Sequence, residues 1–164
     1  MFVRLAKVKD CQEIYDLIKD GDSGMTTLPK SKNEVLERIS WCKKSLNNKT
    51  KRPNNDSYLF VLKENKRIVG ISAIYTSVSK NGSSVFFKRK KKNISSKVFK
   101  FKKSLDVIQL HTVKEPYTEL GTLFLHPDFR GRGRGSLLSL ARFKFMALWP
   151  ERFDQTVVAE IRGK

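Results

Sequence analysis

A chain of 164 residues has room for one domain with a real core, and 39% hydrophobic content with 10% aromatic side chains excludes a chain that is disordered throughout. Its net charge of +18, from 34 basic and 16 acidic residues, predicts attraction to polyanions: nucleic acid, an acidic membrane surface or a phosphorylated small molecule. No apolar run reaches the length of a membrane span and the N-terminus lacks a signal-peptide core. The two distant cysteines, Cys11 and Cys42, have no metal-ligand spacing and suit ordinary packing in a reducing cytoplasm.

Phe2 to Leu5 alternates as a first strand does, and Asp10 with Glu13 forms a capping-box pattern that predicts a helix with Cys11, Ile14, Leu17 and Ile18 on one face and Gly21 at its end. A polar loop, Asp22 to Pro29, carries Met25, Thr26 and Thr27. Ser31 and Glu34 repeat the capping signature, and Val35, Ile39, Cys42 and Leu46 give the second helix its apolar face. Ser57–Lys63 and Arg67–Tyr75 are β-rich runs joined by three polar residues, the pattern of a central hairpin. The composition then changes. No acidic residue stands between Glu64 and Asp106, and Lys88 to Lys103 holds nine basic residues interleaved with Val98, Phe99 and Phe101. Lysines with interspersed phenylalanines are suited to tracking a nucleic-acid backbone; a solvated surface insertion over about 77–115 is the preferred reading, because charge runs usually cover a solvated face. Asp106–His111 reads as a further short strand, and Thr118–Leu125 as a central one.

That last strand leads into the stretch around which the chain is organised. Pro127 stops it, glycines follow at 131, 133 and 135, and helical periodicity begins at Leu137, with Leu137, Leu138, Ala141, Phe145 and Leu148 expected to be buried and Pro150 ending the helix. Strand, glycine turn and helix in this order make an anion site: the first helical amides lack intrahelical partners and the macrodipole adds partial positive charge. Arg130, Arg132 and Arg134 add formal charge and forked donors suited to phosphate oxygens. Arg-Gly alternation also marks disordered RNA-binding tails, but the flanks here are leucine-rich, which favours a folded cradle. Glu119, on the strand leading to the cradle, is the candidate proton acceptor, with an ordinary surface or salt-bridged glutamate as the competing reading. His111 and His126 read as structural or solvent-exposed. Thr156–Glu160 suggests a final strand.

This order of elements, with Arg130-Gly-Arg-Gly133-Arg-Gly135 at the strand–helix junction, resembles the GNAT acyltransferase superfamily, which uses Arg/Gln-x-x-Gly-x-Gly/Ala there to hold the pyrophosphate of coenzyme A. A closer resemblance covers nearly the whole chain. Gly24–Pro29, Tyr58–Leu62, Glu119–Leu125, Leu137–Ser139, Arg142–Ala147, Glu151–Phe153 and Ala159–Gly163 are similar to the arginine N-succinyltransferase family. The resemblance implies an α/β fold with a mixed central sheet flanked by helices, cut after its fifth core strand, since family members are about twice this length. It implies succinyl transfer from succinyl-CoA to the α-amino group of arginine, with ornithine or another amine left open as acceptor, and no metal. It implies that Leu125 and the 130–135 cradle contact the acyl-CoA and that Met25, Thr26 and Thr27 lie near the acceptor. The family's proposed catalytic histidine has no counterpart in these residues, and a second polypeptide or second copy is the expected partner for an early-ending sheet. A non-catalytic CoA-binding subunit and a basic nucleic-acid-binding module are the alternatives.

Overall fold

Residues 1–20, 25, 27–79, 84–113 and 115–160 of a computed structural model are described. Residues 1–78 and 117–164 form one compact unit and residues 79–116 another. In the first, β1 (Phe2–Leu5), β2 (Ser57–Glu64), β3 (Arg67–Val78), β6 (Tyr117–Leu125) and β7 (Val157–Val158) form a sheet in the order β1-β2-β3-β6-β7. All pairings are antiparallel except β6 with β7.

The hairpin β2–β3 is buried on both faces, which is why its sequence is almost continuously apolar. Leu59, Val61, Ile71 and Ala73 pack under α1 (Cys11–Asp20) and α2 (Lys32–Asn47) with Ile14, Val35 and Ile39. Tyr58, Phe60, Leu62, Val69 and Ile74 face the other way, toward α3 (Arg134–Leu148), with Leu138, Phe145 and Phe153. Period-two alternation along β2 thus serves two cores at once, while on β3 the register shift opposite Leu62 and Lys63 puts Val69 and Ile71 on opposite faces.

Several local expectations are corrected. The Asp10–Glu13 capping box does not form, because a short 3-10 turn, Val8–Asp10, precedes α1. Asp10 instead accepts from the Lys7 amide at 2.7 Å and is clasped by both Arg4 nitrogens at 2.6 and 2.8 Å, while Glu13 accepts from Lys63 Nζ and the Ile68 amide. At α2 the Ser31 hydroxyl accepts from the Glu34 amide as expected, but Glu34 reaches back to the Lys30 amide, one residue earlier than a capping box requires. Gly21 lies outside the described residues, and Leu46 is exposed whereas Ser45 is buried. On α3, Leu137 and Leu148 stay exposed, and Arg142 takes a buried place one turn after Leu138. The helix lies on the sheet along its 138–142 line, which turns 137 and 148 outward. Of Thr156–Glu160 only Val157 and Val158 pair as strand.

The basic stretch lies in the second unit. β4 (Ser84–Ser96) and β5 (Phe101–Val113) pair in unbroken antiparallel register from Ser84 opposite Val113 to Ser96 opposite Phe101, so the short strand expected at 106–111 is part of a longer one. Arg89 pairs with Asp106 at 2.9 Å, and Phe87 and Ile108 are both 74% exposed.

Candidate functional site

Beyond β6, the chain makes a 3-10 turn at Pro127–Phe129 and then three successive residues with positive φ: Gly131 at 89°, Arg132 at 50° and Gly133 at 73°. Glycine adopts this region freely, whereas Arg132 does so at roughly 1 kcal/mol. Gly133 is the N-cap of α3; the Arg134 amide donates to the Gly131 carbonyl at 3.2 Å and the Leu137 amide to that of Gly133 at 2.9 Å. The amides of Gly135 and Ser136 therefore have no intrahelical acceptor by position. A Cβ built at Gly131, Gly133 or Gly135 meets nothing within 4 Å, so the space before the helix end is open. Open backbone, orphan donors and the dipole together suit this turn to an anion.

The three arginines divide their work. Arg130 and Arg132 are exposed beside the cradle. Arg134 folds back: Nε donates to Glu64 Oε2 at 2.6 Å and Nη2 to Oε1 at 2.9 Å, with its guanidinium 5.9 Å from the Phe129 ring centre. This forked hydrogen bond holds Glu64 below the usual carboxylate range.

β6 itself is shaped. Opposite β3, Gly121 faces Ala73 and Phe124 faces Ile71, so Thr122 and Leu123 together oppose Ser72 in a β-bulge, with Thr122 at φ 49°. On its other side β7 pairs only with Thr118 and Glu119, and beyond Glu119 no strand among the described residues covers that edge. A bare, bulged strand end thus leads directly to the cradle, with half-buried Leu125 at the junction opposite Gly70.

Under α2, Glu119 lies directly across from Tyr75. Arg38 Nη1 donates to the Tyr75 hydroxyl at 3.1 Å and to Thr122 Oγ1 at 3.4 Å, and the Trp41 ring centre lies 5.8 Å from that of Tyr75. Burial pushes the half-buried Glu119 carboxyl up, and the charge of Glu160 adds to the shift. Met25 packs against the core on this face. Thr27 is exposed, and Thr26 lies outside the described residues.

A family model described as arginine N-succinyltransferase beta subunit matches residues 1–164. The chain belongs to the arginine N-succinyltransferase family. It is 35% identical over 167 residues to an arginine N-succinyltransferase of Yersinia pestis, covering 99% of this chain and 47% of that protein. It thus spans about half the length of the curated relatives it matches. Among solved structures, the arginine/ornithine succinyltransferase subunit AI of Pseudomonas aeruginosa superposes with a TM-score of 0.83 at 26% identity, over 98% of this chain and 49% of that one. A GNAT family acetyltransferase of Staphylococcus aureus shares the fold, with a TM-score of 0.51 at 16% identity, over 99% of this chain and 87% of its own.

As a member of the arginine N-succinyltransferase family, the chain has the GNAT-like α/β fold expected from its element order. Leu125 and residues 130–135 come together at the strand–helix junction, whereas Met25 and Glu119 lie on the face of the sheet toward α1 and α2. Sequence reasoning missed Glu64, the Arg38–Tyr75–Thr122 cluster and Arg142. One signal was available: Gly121 inside a strand marks close approach, and a Cβ there would lie 2.7 Å from Tyr75 Cε2. Among the described residues no group of three His, Cys, Asp or Glu side chains is placed to hold a metal, and no helix is long and apolar enough to cross a membrane.

Proposed function

We propose that the chain takes part in the transfer of a succinyl group from succinyl-CoA to the α-amino group of arginine, in the cytoplasm. The observation that carries this reading is the open glycine turn at the start of α3, set at the end of a sheet strand whose outer edge, beyond Glu119, no strand among the described residues covers. The amides of Gly135 and Ser136, with Arg130 and Arg132, bind the pyrophosphate. Arg134 braces the turn through Glu64. The free edge of β6 takes the extended pantetheine arm as sheets take an added strand, with Leu125 against it.

In the transfer itself the amine nitrogen bonds to the thioester carbon, the C–S bond breaks and the coenzyme leaves as its thiolate. A free α-amino group has a pKa of roughly 8, so a modest base suffices. Glu119 takes the ammonium proton, directly or through water. Its burial favours this, since a carboxylate that binds protons more tightly is a better acceptor. Met25, Thr26 and Thr27 border the acceptor, and ornithine is the competing acceptor, as the description of the Pseudomonas aeruginosa subunit suggests. The matched family is described as a beta subunit, so a further polypeptide or second copy belongs to this reading. The stretch of about 77–115 is proposed to be a lysine-rich insertion in the domain.

Calorimetry of the chain with succinyl-CoA at moderate salt, beside a short DNA duplex, tests the reading. Binding of succinyl-CoA that Gly133→Asp abolishes is expected. A folded chain that binds only the duplex, in a salt-sensitive way, sinks it in favour of a nucleic-acid module.

A further inference from the structure

Arg142 is 4% exposed, and no carboxylate pairs with it among the described residues. Its five N–H groups meet three recorded acceptors: Nη1 donates to the Gly121 carbonyl at 3.4 Å, Nη2 to Ser139 Oγ at 2.9 Å, and Nε to the Ser139 carbonyl at 3.4 Å. Two of these are long, and none carries charge. Burial disfavours the charged guanidinium, and among the described residues no opposite charge offsets it. A buried cation without a paired charge is costly, and buried charges are normally paired, so an arriving anion would be favoured here.

The place of Arg142 says which anion. Residues 134 to 142 of α3 return by eight steps of about 1.5 Å, or about 12 Å, from the cradle. Residues 125 back to 121 of β6 descend by four steps of about 3.3 Å, or about 13 Å. Helix and strand therefore bring Arg142 to Gly121, just before the bulge and on the strand with the bare edge, and half-buried Ser139 marks the more open side of the guanidinium. A coenzyme anchored by phosphate at the turn and laid along β6 carries its acyl group toward this end.

Resting on the acyl-CoA reading above, we propose that Arg142 is the residue that selects the acyl group, its guanidinium receiving the distal carboxylate of succinyl. A charged, forked pair forms there with the substrate and with no neutral acyl chain of the same length. The role is specificity: Arg142 touches the acyl tail and leaves the thioester and the amine alone.

The test measures binding of CoA, succinyl-CoA and butyryl-CoA to the wild-type chain, Arg142→Gln and Arg142→Lys by calorimetry, with thermal unfolding of each as a check on folding. The wild type is expected to bind succinyl-CoA about tenfold or more tighter than butyryl-CoA. Arg142→Gln should erase that ratio while holding CoA within about twofold, and Arg142→Lys should keep part of it. Equal binding of the two acyl-CoAs by the wild type overturns the proposal, as does a succinyl preference that persists in folded Arg142→Gln or is undiminished in folded Arg142→Lys. A uniform loss across all three ligands assigns Arg142 a structural role and overturns it too. A wild-type chain that binds none of the three overturns the acyl-CoA reading itself. If Arg142→Gln does not fold, the wild-type ratio and the lysine variant decide.

Discussion

Arg134, the first residue of α3, grips Glu64, the last residue of β2, through two hydrogen bonds of 2.6 and 2.9 Å. The glycine turn is thereby fastened to a strand 70 positions away in sequence. Because Arg134 lowers the folded-state pKa of Glu64, the pair's stabilisation is present above the unfolded value of about 4.3 and fades as pH falls through the depressed one. Glu64→Gln should therefore melt below the wild type at pH 7, with the gap closing in the acid range. Thermal unfolding of both proteins from pH 7 down to pH 3 checks this, and a constant gap would count against the pair.

Glu119 titrates in the opposite sense. Burial, and then Glu160, raise its folded pKa, so its charged form is disfavoured by folding at neutral pH and the penalty disappears once pH is low enough to protonate it in both states. Glu119→Gln is expected to raise the melting temperature at pH 7 and to leave it unchanged near pH 3. If Glu119 is the proton acceptor, Glu160→Gln should shift the ascending limb of the pH–rate profile to lower pH. An unmoved limb removes Glu119 from the reaction.

At Gly121 an alanine methyl would stand 2.7 Å from Cε2 of Tyr75, a ring that Arg38 and Thr122 hold by its hydroxyl. Gly121→Ala should destabilise by about 1–3 kcal/mol through overpacking, measured by urea unfolding. Removing the obstacle with Tyr75→Ala in the same chain should make the double mutant less costly than the sum of the single ones. Additive effects would show that the ring yields freely.

Leu138 is fully buried between α3 and β3, while Leu140, on the same helix, is 62% exposed. Leu138→Ala should cost about 2–5 kcal/mol, and Leu140→Ala should lie within about 0.5 kcal/mol of the wild type. Denaturant titration of the two variants tests whether the helix lies on the sheet along the Leu138–Arg142 line.

On the basic hairpin, replacing Lys90, Lys91 and Lys92 together with glutamine should weaken duplex binding and reduce its logarithmic salt slope by up to about 3. Succinyl-CoA binding should be unaffected. A matching loss of succinyl-CoA binding would count against these lysines serving the duplex alone.

The sequence by itself determined what depends on neighbours along the chain. Glycines at 131, 133 and 135 after an apolar strand specify a left-handed turn and a helix start, because backbone dihedrals and orphan amides are local properties. The apolar runs of β2 and β3 declare a central hairpin for the same reason. Tertiary structure alone decided which charges meet. Nothing local says that Arg134 turns from the cradle to Glu64, that Arg38 crosses to Tyr75 and Thr122, or that Arg142 is buried while Leu148 is not. Helical periodicity admits several nearby rotations of α3, and only contact with β3 and β6 selects the one that buries a cation. The bulge at Thr122 and the short reach of β7 likewise come from how strands meet, and among the described residues they leave uncovered the edge on which the proposed chemistry depends.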